Sequence, residues 1–278
     1  MRKQTSFYIH GSSIAEQTRL SQLNDLLNQE YFDEVSFGLE YERVLDVGSG
    51  LGHIARLFKR NAKKATVIGI ERDEVQIKSA CKHHDHDVFP VNYLQGDIQK
   101  LKLVDDLTES FDVVHSRFLL EHINKPLKAI QTMVQLTRPG GQIILADDDH
   151  SIFRVFPEIS GFELLWKAYE KSYINRGNDP YIGKKLVHLL QKAGIKPVRN
   201  GFTFFGGCAG SLRFEGTVRN LVEVLRGARE AILDTNMLSD SDLIDTLTNI
   251  EIWSKNNNSS IWYPINYAVG VKPISQSV

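Results

Sequence analysis

"VLDVGSGLGHIARLFKR", Val44 to Arg60, runs from an apolar, strand-like segment through three glycines into a helix-like one. Gly48, Gly50 and Gly52 are spaced G-x-G-x-G. The dinucleotide pattern G-x-G-x-x-G wants its last glycine where this chain has His53, so close packing beside a pyrophosphate is not what the turn offers. Asp46, on the strand just before the turn, discourages an anionic phosphate and favours a cationic group. The turn therefore brings backbone close to a ligand whose charge differs from that of a nicotinamide dinucleotide, and an oxidoreductase of that kind is opposed by His53 and Asp46.

Outward from this turn, "TVIGIE", "VNYLQGD", "FDVVHS" and "QIILADD" each offer a short apolar core ending in small or acidic residues, the signal of buried strands. "HIARLFKRNA", "EVQIKSACKHH" and "KPLKAIQTMVQLT" lie between them with helical spacing. Strand alternating with helix predicts a parallel sheet covered on both faces, with right-handed crossovers. In "RPGGQ", Pro139 stops the preceding helix and two glycines permit the reversal into the fifth strand. An amphipathic helix is expected over Ser12 to Asn28, from Ile14, Leu20, Leu23, Leu26 and Leu27. After "ADDDH" two further helices are expected, Glu158 to Asn175 and "DPYIGKKLVHLLQKAGI". A strand "KPVRNGFTFFGG", two helical segments within Arg213 to Asn256 and a last strand "SSIWYPINYAVGVKP" then follow.

Glu71 ends the second strand, where a carboxylate can accept hydrogen bonds from both hydroxyls of a ribose, and Asp97 follows the third strand in a glycine-led loop. Three acids and the glycine turn thus converge on the carboxyl edge of the sheet, where open parallel sheets hold their ligands. In this order and spacing, "VLDVGSGLG", "GIE", "QGDI", "FDVVHSRFLLEH" and "RPGGQIILAD" resemble the class I S-adenosylmethionine-dependent methyltransferases, in their small-molecule branch, over roughly Tyr41 to Asp149. The resemblance implies an α/β, Rossmann-like, doubly wound, mostly parallel seven-stranded sheet with helices on both faces, an N-terminal helical segment and a helical insertion before the last strand. It implies S-adenosylmethionine as cofactor and S-adenosylhomocysteine as product.

By the same resemblance the backbone at Gly48, Ser49 and Gly50 passes the methionine and ribose part of the cofactor, and Glu71 holds the ribose hydroxyls. Asp97 and the Ile98 amide take the adenine, Arg72 lies over it, and Ser116 and Arg117 border the methionine end. The opening "FYIHGSSIAEQTRL" is similar to the Y-x-x-G, E-x-x-R-L lead-in of one branch of small-molecule methyltransferases. There Tyr8 would contact the methionine end and Arg19 would pair its carboxylate; the bland alternative for Arg19 is a surface pair with Glu16.

Composition narrows the acceptor. The 278 residues carry 33 Lys and Arg against 34 Asp and Glu, so no long-range field draws nucleic acid or an anionic membrane. Cys81 and Cys208 are too few for a disulfide framework, and no run approaches the roughly 18 apolar residues of a spanning helix. A soluble, cytoplasmic protein with a small-molecule acceptor is expected, its oligomeric state open. One methyltransferase domain is expected over 1–278: a cofactor-covering segment at 1–40, a cofactor-binding core at 41–150, and a substrate-side half at 151–278 with a lid insertion at about 211–257. A non-catalytic S-adenosylmethionine-binding regulator, or an enzyme acting on protein or RNA, is the alternative.

Base candidates for the acceptor's proton are His122 and Asp147, although displacement at an activated methyl requires no dedicated nucleophile. His115, inside an apolar strand, reads as a satisfied core histidine. "ADDDH" could hold magnesium and orient a catechol-like diol. Without a further acid or carboxamide at an identifiable position it defines no metal site, and "CKHHDHD" matches no common zinc spacing, so no metal is expected. Of the stripe Phe153, Phe156, Phe162, Trp166, Tyr169 and Tyr173, about two residues are expected to see the ligand and the rest to pack as core.

Overall fold

Seven strands order as β3-β2-β1-β4-β5-β10-β7 in the main sheet of the computed structural model, which describes residues 14–36, 39–84, 90–101 and 108–274. The strands are β1 (Arg43–Val47), β2 (Thr66–Glu71), β3 (Asn92–Gln95), β4 (Phe111–Arg117), β5 (Thr137–Asp147), β7 (Lys196–Phe204) and β10 (Pro264–Val271). The first five pair in parallel, and β10 runs antiparallel between β5 and β7. The strand order reverses between β1 and β4, which puts the ligand crevice at their carboxyl ends. Three short strands, β6 (Arg154–Phe156), β8 (Gly207–Cys208) and β9 (Ser260–Trp262), form a second, antiparallel sheet. The expected last strand is thus divided at Tyr263 between the two sheets.

The helices are α1 (Ile14–Ser36), α2 (His53–Asn61), α3 (Glu74–His84), α4 (Pro126–Leu136), α5 (Phe162–Asn175), α6 (Leu186–Lys192), α7 (Leu212–Gly227), α8 (Arg229–Leu233) and α9 (Asp240–Trp253). Helix α1 runs well past its expected end at Asn28, because Tyr31, Phe32 and Val35 continue its apolar stripe and are buried. Among the described helices none is long and apolar enough to cross a membrane.

Strand alternation sorts the core into two layers. Val44, Val113 and Ile144 face Tyr31 of α1 and Phe58 of α2. Leu45, Val114 and Ile143 face Met133 and Leu136 of α4 and Leu190 of α6. Full burial of such side chains stabilises by about 1.5–3 kcal/mol each before entropy is counted.

The edge away from the crevice is tied by Asp112 on β4. Its Oδ2 accepts from the amides of Glu42 (2.8 Å) and Arg43 (2.7 Å), and its Oδ1 accepts from Arg138 Nε (2.5 Å) on β5. Burial alone would raise the Asp112 pKa; the Arg138 hydrogen bond and the two backbone amides outweigh it and hold the carboxyl below its usual value. A depressed pKa contributes stability above the unfolded carboxylate value of about 4 that disappears as pH falls through the folded value. Asp112→Asn is therefore expected to cost about 1–2 kcal/mol at pH 7. In urea unfolding the gap to the wild type should narrow once the pH drops below about 4; a pH-independent gap would contradict the assignment.

Candidate active site

The glycine turn closes the crevice from below. Gly48, Gly50 and Gly52 hold φ of +72°, +53° and +76°, and Gly52 directly precedes α2. A Cβ on Gly52 would stand 2.0 Å from the Tyr93 hydroxyl oxygen, so the third glycine serves close packing against β3. The turn is locked to the neighbouring strand: the Gly48 and Ser49 amides donate to the Ile70 carbonyl at 2.8 and 3.1 Å. Glu71 Oε2 accepts from the Gly50 amide at 3.1 Å, while its Oε1 accepts from Arg72 and Asp73 amides at 2.7 and 2.8 Å. The carboxylate predicted for a ribose is thereby held by three backbone donors at the mouth of the turn.

Above this floor lies a cavity of about 420 Å³. Gly48, Ser49, Gly50, Glu71, Arg72, Asp97, Ile98, Arg117, His122 and Arg19 all line it, so the fold brings these expected site residues together. Ser49 Oγ is buried there with no hydrogen-bond partner among the described residues, an open polar position facing a ligand volume. Glycine backbone, a ribose-compatible carboxylate, an acid beside Ile98 and an unused hydroxyl together fit S-adenosylmethionine. Tyr8 lies outside the described residues, as do 85–87 of the "CKHHDHD" run.

Two expected site residues are not in the cavity. Ser116 is buried on the opposite face of β4, because adjacent strand residues point to opposite sides and His115 and Arg117 take the cavity side. Asp147 is fully buried for the same reason at the end of β5. Its Oδ2 accepts from the Leu120 amide at 2.8 Å and its Oδ1 from the Asp148 amide at 3.3 Å, which makes it a structural anchor rather than a base. The next residue, Asp148, faces the cavity instead.

Arg19 is bonded to Glu16 at 2.8 and 2.6 Å and to Asn220 Oδ1 of α7 at 2.7 Å. The Glu16 pair, within α1, is buried rather than on the surface, and the Asn220 bond joins α1 to the insertion at the cavity wall. Arg117 Nη2 donates to Asn24 and Asn28 Oδ1 at 2.6 and 2.7 Å, with its guanidinium over the Tyr31 ring. His115 is satisfied: its Nδ1 lies 2.7 Å from Asp46 Oδ1 and its Nε2 2.7 Å from the Tyr31 hydroxyl. The consistent tautomer donates from Nδ1 to Asp46 and accepts at Nε2 from Tyr31. Asp46, which turned the reading from pyrophosphate, is thus partnered beneath the cavity.

The far half of the cavity is aromatic and acidic. Trp166, Tyr169 and Tyr173 of α5 line it, whereas Phe153 and Phe162 pack as core and Phe156 is exposed. Tyr263 joins them from the junction of β9 and β10, a residue no local sequence signal marked. His150 stacks on Tyr169 at 5.3 Å between centroids and meets Tyr173 edge-on at 5.0 Å. Glu121, in the 3₁₀ turn Leu120–His122, is buried beside it. Burial pushes Glu121 up to about 8, against the pull of Arg19, and pushes Asp148 up to about 7, with Glu121 adding to the effect. Burial takes His122 down to about 3, so the predicted base is neutral and weakly basic.

The methyltransferase-domain family model matches residues 45–145, which is the segment carrying the turn, Glu71, Asp97 and most of β5. Over that segment the chain is similar to the class I S-adenosylmethionine-dependent methyltransferases. It is 26% identical over 182 residues to the ubiquinone biosynthesis O-methyltransferase of Acinetobacter baylyi, covering 64% of this chain and 72% of the relative. It is 27% identical over 163 residues to a ubiquinone/menaquinone biosynthesis C-methyltransferase of Bdellovibrio bacteriovorus, covering 58% of this chain and 66% of the relative. Several further curated relatives are matched over only 58% to 64% of their own length. Among solved structures, phosphoethanolamine N-methyltransferase 2 of Haemonchus contortus shares the fold with a TM-score of 0.55 at 18% identity, covering 88% of this chain and 52% of that one.

Proposed function

We propose that this chain transfers the methyl group of S-adenosylmethionine to a small molecule enclosed in the aromatic half of the cavity. One observation carries the reading: a single continuous cavity joins the glycine turn and Glu71 to the wall of Trp166, Tyr169, Tyr173 and Tyr263. The names of the relatives place them in quinone biosynthesis, and a flat aromatic acceptor suits these rings.

When bound, S-adenosylmethionine supplies a methyl already activated on sulfonium. The protein's task is to hold the two reactants in line, which is worth several kcal/mol of barrier. Glu71 would hold the ribose, Asp97 and the Ile98 amide the adenine, and Arg72 its face. The backbone at Gly48 to Gly50 would pass the ribose and methionine, and Arg117 and Arg19 would flank the methionine end. With Asp147 turned away and His122 only weakly basic, positioning rather than a dedicated base at those two residues carries catalysis. Helix α7 packs on α1 and lends Thr217, Asn220, Leu221 and Val224 to the cavity. The insertion at about 211–257 would therefore act as the lid of one functional unit, excluding water from the reacting atoms.

A non-catalytic binder would fill the acceptor half with side chains, and the aromatic half here is open to the glycine half. Isothermal titration calorimetry with S-adenosylmethionine should show one site, followed by turnover of labelled methyl onto small phenols or amines. Absence of cofactor binding would overturn the proposal. Binding without turnover across such a panel would favour the regulator.

A further inference from the structure

Within the acceptor half, Glu121, Asp148 and His150 each bring one metal-ligating atom to within 4.8 Å of the other two. His150 Nε2 is 3.5 Å from Glu121 Oε2 and 3.9 Å from Asp148 Oδ2. Those separations exceed ordinary hydrogen bonds, which end near about 3.2 Å. They come within about half an ångström of the roughly 3.0–3.4 Å expected between two ligands bonded at about 2.1 Å to one ion. Independently of the cluster, Glu121 Oε2 is buried with no hydrogen-bond partner among the described residues, on a residue only 3% exposed that lines the cavity. A carboxylate oxygen in that state costs several kcal/mol unless a cation or proton meets it.

The backbone around all three residues is pinned. The Asp148 carbonyl accepts from the Gly183 amide at 2.8 Å, the His150 amide donates to the Pro180 carbonyl at 2.9 Å, and the Glu121 carbonyl accepts from the Asp179 amide at 3.3 Å. The Tyr169 ring fixes the plane of the His150 imidazole. Segments distant in sequence have been assembled so that two carboxylates and one imidazole converge on a space open to the acceptor.

We propose that Glu121, Asp148 and His150 form a binding site for one divalent first-row metal ion, of the manganese or zinc class, at the acceptor end of the cavity. Two oxygens and one imidazole nitrogen suit such ions better than calcium or magnesium, which prefer all-oxygen shells. Three protein ligands leave coordination positions facing the cavity, as in sites where an ion receives a substrate. Resting on the methyl-transfer reading above, the site assigns the acceptor to oxygen compounds with two adjacent donors, such as a vicinal diphenol or a hydroxy acid. The ion would hold both oxygens and favour loss of the proton from the attacking one.

The test uses the full chain, freed of metal with a chelator and without S-adenosylmethionine. Titration with manganese(II), followed by calorimetry and by loss of the free-ion electron paramagnetic resonance signal, and a parallel zinc(II) titration should each give one site. Glu121→Gln and Asp148→Asn, near-isosteric changes, should weaken that binding by at least about tenfold. Both variants should keep wild-type affinity for S-adenosylmethionine, which also reports that they are folded. A wild-type protein taking up neither ion at one equivalent overturns the site, as does undiminished metal binding by both variants. Cofactor binding in metal-free buffer is the separate test of the methyl-transfer reading, so either can fail alone.

Discussion

Glu71→Ala is expected to weaken S-adenosylmethionine binding by at least about 100-fold, because the two charge-assisted hydrogen bonds proposed to the ribose, each worth about 1.5–3 kcal/mol, would be lost together. The same substitution releases the Gly50, Arg72 and Asp73 amides, so the glycine turn loses its tie to the end of β2. That tie predicts a second signature. Glu71→Gln, which keeps one carbonyl oxygen but no charge, should fall between the two, at about a tenfold loss. Calorimetric titration of the three proteins distinguishes the cases, with thermal melts reporting how much of the loss is loosening of the turn. Unchanged affinity in the alanine variant would remove Glu71 from the ribose.

Gly183→Ala should be strongly damaging to the acceptor half. A Cβ at Gly183 would stand 2.6 Å from the Asp147 carbonyl oxygen and 2.8 Å from the Asp148 carbonyl carbon and oxygen. Those are backbone atoms of the β5 end, so no rotamer change relieves the contact. The 3₁₀ turn Ile182–Lys185 or the strand end has to move, and the 2.8 Å hydrogen bond from the Gly183 amide to Asp148 stretches with it. The expected cost is about 3 kcal/mol, seen as a fall in Tm of roughly 6–10 °C. The displaced carbonyl belongs to Asp148, so the proposed metal uptake should suffer more than binding of S-adenosylmethionine, which the proposal seats in the other half of the cavity. A Tm within about a degree of wild type would show that the close approach carries no weight.

The cofactor half was legible because its chemistry is local. A glycine turn at a strand end, Glu71 ending the next strand and Asp97 following the third are each contained in a few consecutive residues, and parallel pairing brings successive strand ends to one edge. The mostly parallel sheet with a late insertion followed from the alternation of strand and helix. Two assignments missed what a period of two already contains. On β4 Arg117 takes the cavity side and Ser116 the opposite face, and at the end of β5 Asp147 is turned away where it was read as a candidate base. The boundary of α1 was missed because Tyr31, Phe32 and Val35 read as helix only once the layer they bury against is known.

The sequence by itself carried the resemblance to a methyltransferase class and set the glycine turn, Glu71 and Asp97 at one end of the cavity, since covalent order places those residues at adjacent strand termini. At the acceptor end the sequence marked "ADDDH" and the aromatic stripe, and only the tertiary structure brought Glu121 and Tyr263 to them. Glu121 comes from a turn after β4, Asp148 from the end of β5, His150 from the turn beyond it, and Tyr263 from the far end of the chain. Their meeting depends on β10 inserting beside β5, on the small second sheet and on the backbone packing of Gly183. No spacing in the chain encodes those distances, because each is set by how separate elements pack.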